Sequence, residues 1–265
     1  MRIYIPTRGR VGMQKTVERL GLEINRHYAT TLVCPPDEVR ALESIVKSKG
    51  AKVMACKAEG ISATRQAILD HAKRNKEGVA LMLDDDLPTW RLRSRFKIND
   101  KGEIPYTKAT TEDIADGLHT FAKLMQGYAH GSIGHALFCQ LSPPIKYNSR
   151  MLRALAYNVD FIPRGVKFRL PVMEDFDMEL QLLTRGHTSM TYNGIVQDQH
   201  QNNSEGGCSS YRTAGVQEYA AHELASLWPD YVTVVTRAPK REWVGMGDRT
   251  DVRVNWRKAA KAGGA

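Results

Sequence analysis

Between Arg2 and Leu83, short apolar runs alternate with apolar stripes at helical spacing, and no other feature of the chain narrows its fold so far. Residues 3–5 read as a strand, followed by a helical pattern that puts Met13, Val17 and Leu20 on one face. Residues 30–34 carry a second strand pattern. Pro35-Pro36-Asp37 stops it and caps a helix that turns Val39, Leu42, Ile45 and Val46 inward. Residues 52–56 give a third strand, and Gly60 and Ser62 open a helix with Ala63, Ala67, Ile68 and His71 at helical spacing. Val79-Ala80-Leu81-Met82-Leu83 is apolar throughout, the pattern of a strand covered on both faces. Such alternation predicts an α/β fold, with a Rossmann-like, mostly parallel sheet and helices on both faces.

The rest of the chain is less regular. Residues 87–108 are polar, basic and broken by prolines, which predicts a long loop or a hairpin. A helix is expected over 111–125, with Ile114, Leu118, Phe121 and Leu124 as its buried stripe. Strands are expected over 136–141, 157–162 and 188–192, and helices over 174–184 and 211–227. The chain then divides into an α/β domain over residues 1–230 and a basic extension over 231–265.

Charge bears on partners. The formal net charge is +9, and +5 of it lies in residues 237–265, where eight Lys or Arg stand against three acids. An excess of this size favours polyanionic partners. Four cysteines, at 34, 56, 139 and 208, include no Cys-x-x-Cys pair. That pattern predicts a reducing cytoplasm, no disulfide framework and no cysteine zinc site. No apolar run approaches the ~20 residues of a membrane span. The strand pattern at the very start leaves no room for an expected signal peptide.

The residues suited to chemistry follow the predicted strands. Asp84-Asp85-Asp86 comes directly after the buried strand, at the carboxyl edge where open α/β sheets bind ligands. Three adjacent carboxylates repel one another, and Mn²⁺ or Mg²⁺ relieves that repulsion while completing its shell with phosphate oxygens and water. An acidic solvated turn is the competing explanation. In Pro6-Thr7-Arg8-Gly9-Arg10, Gly9 would let the backbone approach a ligand, and Arg8 and Arg10 would pair with phosphate; a basic surface turn fits equally. The helix start at Gly60…Arg65 favours an anion and sets Arg65 within reach of a nucleotide, although Ser62 as a plain N-cap is simpler. Glu174, Asp175 and Asp177 cluster at another helix start. Acids there suit the helix dipole, yet one of them could be a general base toward an attacking hydroxyl. His200 could complete the shell of the ion held by the aspartates.

Basic residues form two further groups. Arg91, Arg93, Arg95 and Lys97 alternate, so on a strand they would make one basic face able to follow a phosphate backbone. Arg237, Lys240, Arg241, Arg249, Arg253, Arg257 and Lys258 are interleaved with Trp243 and Trp256, which suits phosphate contacts and base stacking; anchoring of the tail is the plainer role for the tryptophans.

Pro6 to Arg10, the Gly60…Arg65 segment, Leu83-Asp84-Asp85-Asp86 as an Asp-x-Asp motif, Met173-Glu174-Asp175 and His200 occur in an order that resembles the GT-A class of glycosyltransferases over about residues 1–205. The resemblance implies a metal-dependent enzyme that takes sugar from a nucleotide diphosphate, a UDP-sugar. Pro6, Thr7, Arg8, Arg10, Arg65, Asp84 and Asp85 would then lie on the nucleotide side, and Asp84, Asp86 and His200 toward the metal. In an inverting enzyme it implies Asp175 as base, with Glu174 or Asp177 touching sugar or acceptor. The Leu-Asp-Asp-Asp and Met-Glu-Asp-Phe-Asp wording and the basic tail also resemble the phage glycosyltransferases associated with TET/JBP-type oxygenases. That resemblance implies 5-hydroxymethylcytosine in DNA as acceptor, in a bacterial host cytoplasm. Three rivals stay open: the same fold acting on a glycan, protein or lipid; a metal-dependent nuclease or nucleotidyltransferase; and a DNA-binding protein without catalysis. The lack of a Gly-rich N-terminal signature counts against one form of the second.

Overall fold

A computed structural model describes residues 1–94, 98–100, 102–139, 142–198, 211–238 and 248–264. The predicted alternation comes first: β1 (Arg2–Pro6), α1 (Lys15–His27), β2 (Thr31–Cys34), α2 (Val39–Val46), β3 (Lys52–Ala55), α3 (Gly60–Arg74) and β4 (Val79–Leu83). Then follow β5 (Thr89–Arg93), β6 (Tyr106–Lys108), α4 (Thr111–Leu124), β7 (His130–His135), β8 (Ile145–Tyr147), β9 (Ala154–Asn158) and α5 (Glu174–Leu183). The chain continues with β10 (Ser189–Asp198), α6 (Ala214–Leu227), β11 (Val232–Arg237), β12 (Arg249–Val254) and α7 (Trp256–Gly263). Among the described residues no helix is long and apolar enough to cross a membrane.

One sheet runs β3-β2-β1-β4-β9-β7-β10-β5-β6, with β8 also paired to β10. β1 to β4 are mutually parallel, as are β7 and β10; β9 runs antiparallel between β4 and β7. The pleat sends Ile3 and Ile5 to one face and Tyr4 to the other. On the first face they meet Val17 and Leu20 of α1, Leu42 of α2 and Leu118 of α4. On the second, Tyr4 and Met82 meet Ile68 of α3 and Met178 and Leu182 of α5. Both faces are thus covered, which is why every residue of β4 is buried.

The opposite side of α5 builds a third cluster, in which Phe176, Leu180 and Leu183 pack with α6, β11, β12 and α7. The small residues near the C-terminus serve that contact. Ala259 and Ala260 are buried, and a Cβ added at Gly263 would collide with the Leu183 carbonyl. Trp256 meets Phe176 edge-on at 5.6 Å between ring centres.

Several expected boundaries differ. Met13 precedes α1 and is exposed, so Val17 and Leu20 carry that helix's inner face without it. No strand forms over the described part of 136–141, which begins with a turn; the strand of this region, β7, lies before it and ends at His135. Its residues, His130 to His135, are all buried, but only Ile133 is strongly apolar, so hydropathy points past it. β9 begins at Ala154, three residues before the expected start, and β10 runs on to Asp198 through an irregularity between Tyr192 and Val196. Residues 87–108 adopt the hairpin option, with β5 antiparallel to β6.

Candidate functional site

The carboxyl ends of β1 to β4, the first turns of α3 and α5 and the turn before β9 open on one cavity of about 630 Å³. That lies within the ~300–1,000 Å³ of small-molecule sites. Pro6, Thr7, Arg8, Arg10, Arg65, Asp84, Asp85, Asp86, Glu174 and Asp175 all line it. Segments far apart in the chain are therefore brought together at the sheet's carboxyl edge, as parallel α/β topology requires.

Within the aspartate triplet the three side chains differ. Thr7 Oγ1 donates to Asp85 Oδ2 at 2.6 Å, and Arg10 NH1 stands 2.6 Å from Asp85 Oδ1 and 3.2 Å from Asp86 Oδ2. Both Asp85 oxygens are occupied, so Asp85 and Arg10 clasp the end of β4 to the end of β1 rather than reaching for a nucleotide. Asp84 and Asp86 remain the more open pair, with side chains 34% and 16% exposed. Withdrawal from bulk water pushes the Asp84 carboxyl up to about 7, with Arg65 opposing and Asp86 and Asp85 adding repulsion. The Gly9 amide is taken by Glu38, donating to its Oε1 at 2.9 Å. Arg8 is exposed at the rim.

Arg65 is buried and bridges the two acidic motifs. NH1 lies 2.5 Å from Glu174 Oε1, and NH2 lies 3.5 Å from Asp84 Oδ1. The guanidinium is held protonated by these neighbours against its burial. Burial pushes the Glu174 carboxyl up and Arg65 pulls it back, so the two form a buried ion pair. Arg65 is thus a positioning residue, not a hand extended to a nucleotide. At the start of α3 the Ile61 amide donates to the Tyr211 hydroxyl at 3.0 Å. Ser62 is not the N-cap, which falls on Glu59; its hydroxyl donates to the Leu170 carbonyl.

α5 separates its acids by geometry. Met173, its N-cap, has φ of 60°, a left-handed conformation that non-glycine residues adopt at a cost of about 1–3 kcal/mol. Asp175 lines the cavity, and its Oδ1 accepts from the Phe176 amide at 3.0 Å. Asp177 does not reach it. It is fully buried, paired with Arg169, and accepts from Gln181 Nε2 at 2.9 Å and Trp228 Nε1 at 2.8 Å. Residues two apart on a helix point about 200° from each other, so one of the pair had to turn inward.

The cavity wall also holds His135, Arg150, Arg153 and Asp251, which the motifs did not single out, and Arg249 of the basic tail. Arg153 is left-handed at φ 64°, its carbonyl accepts from the Asp84 amide at 3.0 Å, and its NH1 lies 2.5 Å from His135 Nε2. Burial, then Arg153, lowers His135 to about 4. The guanidinium of Arg150 sits 4.8 Å from the centre of the Phe176 ring. The only local signals were two arginines three apart ahead of a buried strand and the alternation Arg249-x-Asp251-x-Arg253.

Of the basic face expected on β5, the two described members part company. Arg91 is exposed, but Arg93 is buried and donates to the Ser142 carbonyl at 2.6 Å and toward the Tyr106 hydroxyl at 3.3 Å. The neighbouring hairpin strand and the 142–144 segment supply these acceptors. Arg253 and Arg257 are exposed and do not line the cavity. Arg95, Lys97, His200, Lys240, Arg241 and Trp243 lie outside the described residues. Among the described residues no group of three or more His, Cys, Asp or Glu could hold a metal ion. Asp84 and Asp86 both face the cavity, and two such carboxylates would suit Mg²⁺ or Mn²⁺ if phosphate and water completed the shell.

A family model described as TET-Associated Glycosyltransferase matches residues 1–207. No curated protein matches the chain. Among solved structures, mannosyl-3-phosphoglycerate synthase from Rubrobacter xylanophilus is 11% identical, over 96% of this chain and 84% of that one, with a TM-score of 0.41. The 4-diphosphocytidyl-2C-methyl-D-erythritol synthase of Anaerococcus prevotii DSM 20548 is 11% identical over 73% and 86%, with a TM-score of 0.44. A197 from STIV is 11% identical over 76% and 87%, with a TM-score of 0.41. Likenesses this distant leave the assignment to the family match, which spans most of the chain. The chain belongs to the TET-associated glycosyltransferase family and is a glycosyltransferase.

Proposed function

We propose that the protein transfers a sugar from a UDP-sugar to the hydroxyl of a hydroxymethylated pyrimidine, 5-hydroxymethylcytosine, in DNA, in the cytoplasm of a bacterial host. The observation that carries this reading is the convergence of Asp84, Asp86 and Asp175 on one cavity in a member of this family. Pro6, Val33, Cys34, Cys56 and Ala58, at the ends of β1, β2 and β3, form the more apolar end, suited to a nucleoside. Burial raises the Cys34 thiol to about 12, so it acts there as an apolar wall and not as a nucleophile. Arg8 at the rim and Arg153 beside the aspartates offer cations to the diphosphate.

Asp84 and Asp86 would hold a divalent ion, which would neutralise the charge gathering on the departing diphosphate. In an inverting transfer Asp175 accepts the proton of the acceptor hydroxyl as its oxygen bonds to the anomeric carbon. The bond from that carbon to phosphate oxygen breaks, and UDP leaves with the electron pair. Arg65 keeps Glu174, and with it the first turn of α5, aligned with Asp84.

Intact-mass analysis of a hydroxymethylcytosine duplex, incubated with the protein, Mn²⁺ and a panel of UDP-sugars, tests this. The expected result is a gain of one sugar mass, absent on unmodified DNA and absent with Asp86→Ala. Slow hydrolysis of UDP-sugars with no transfer to any DNA would discard the DNA acceptor.

A further inference from the structure

We infer that the outer face of the β11–β12 hairpin, continued by Arg150, is the track that holds the phosphate backbone of the acceptor nucleic acid; this rests on the DNA reading above. β11 and β12 lie beyond the residues that the family model matches. Val252 and Val254 pack into the third apolar cluster, so strand alternation turns Arg249, Asp251 and Arg253 to the other face. Arg237 stands opposite Arg249 in the antiparallel register, and opposed residues share a face. Among the described residues these three arginines turn to one side with one acid; Arg237 and Arg253 are exposed there, and Arg249 is buried at the cavity end. Asp251 is divided between two of them, at 3.0 Å from Arg237 Nε and 3.3 Å from Arg249 NH2. Arg253, exposed and outside that pair, adds a positive charge to the face.

The face is continuous with the site. Arg249 and Asp251 line the cavity, as does Arg150, which senses the charges of Asp175, Asp251, Arg237 and Arg249. Arg150 also stacks on Phe176, the residue after Asp175. A row of guanidiniums thus leads from the hairpin to the proposed base. Arg237 stands opposite Arg249 and so lies four residues along the strands from Arg253; the two exposed arginines are about 13 Å apart or more and meet different phosphates. The same cavity wall carries Phe138, 60% exposed, whose ring offers a stacking surface to a base drawn out of a duplex.

The test is the affinity of the full-length protein for a fluorescent duplex of unmodified bases, measured across a salt series. Backbone contacts carry no base information, so the modified base is not needed. Arg253 is exposed and has no ion pair among the described residues, so Arg253→Glu leaves the fold unburdened. It is expected to weaken binding about tenfold and to flatten the plot of log affinity against log salt by about one. Arg237→Gln is expected to act in the same direction, whereas Arg257→Glu, on α7 and off the track, changes neither quantity. Unchanged affinity and slope in both track variants would overturn the track and leave the transfer reading standing. An equal loss in Arg257→Glu would replace it with diffuse attraction. A wild-type protein that binds no nucleic acid would overturn track and DNA acceptor together.

Discussion

Asp175 and Asp177 sit two residues apart on α5 and answer to different environments. Asp175 faces the cavity and holds only the Phe176 amide among the described hydrogen bonds. Asp177 is enclosed by Arg169, Gln181 and Trp228. Asp175→Asn is expected to lower kcat on the order of a thousandfold, the scale of a lost general base, with little change in Tm. Asp177→Asn is expected to reverse that pattern. Loss of the buried charge beside Arg169 should destabilise by about 3 kcal/mol, read as a lower Tm, while the variant that stays folded keeps near-normal kcat. Comparable kcat losses in the two variants would contradict this assignment. Three acids in a first turn were legible as a motif. Which of them faced the ligand was not, because helix phase becomes a direction only once the partner surfaces are in place.

At the scale of elements, α4 lies so close to β10 that a Cβ at Gly117 would stand 2.5 to 2.7 Å from three side-chain atoms of Ile195. Two effects then compete in Gly117→Ala. Helix propensity favours alanine by about 1 kcal/mol, but overpacking a core costs about 1–3 kcal/mol. Ile195 is fully buried and has nowhere to move, so overpacking wins. The variant should show a lower urea midpoint with an unchanged m-value; a higher midpoint would mean that α4 can shift. The helix itself was readable from Ile114, Leu118 and Phe121, and its start is fixed by a capping box between Thr110 and Asp113. β7 was not, since a strand of His, Gly, Ser and Ile is recognisable only by the neighbours β9 and β10 that bury it.

Across the whole molecule, burial of β7 makes stability depend on pH. His130 is 1% exposed, stacks on Tyr157 at 4.4 Å and is lowered to about 3 by burial, then by Arg65. Its pKa in the unfolded chain is the ordinary 6.5, so between pH 6.5 and about 3 the unfolded state binds a proton that the folded state refuses. The stability this group contributes is therefore full above pH 6.5 and falls as pH drops, by up to about 1.4 kcal/mol per pH unit. His135, lowered to about 4, adds in the same direction. Asp84, raised to about 7, acts the other way over this range, so the check is a difference in slope. In urea unfolding from pH 7 to 4, His130→Asn should lose less stability, or gain more, than the wild type as pH falls; an unaltered slope would refute the assignment. By itself the sequence determined the order of β1 to β4 with their helices, the placing of the aspartate triplet at a strand end and the presence of a second acidic motif. All of these depend on residues close together in the chain, where periodicity and charge spacing suffice. The tertiary structure alone decided the pairing of Arg65 with Glu174 across 109 residues, the inward turn of Asp85 and Asp177, the burial of Arg93 and the entry of Arg249 and Asp251 into the cavity wall. The physical reason is that a charge takes its role from the groups that desolvate and pair with it, and folding brings those groups from distant segments.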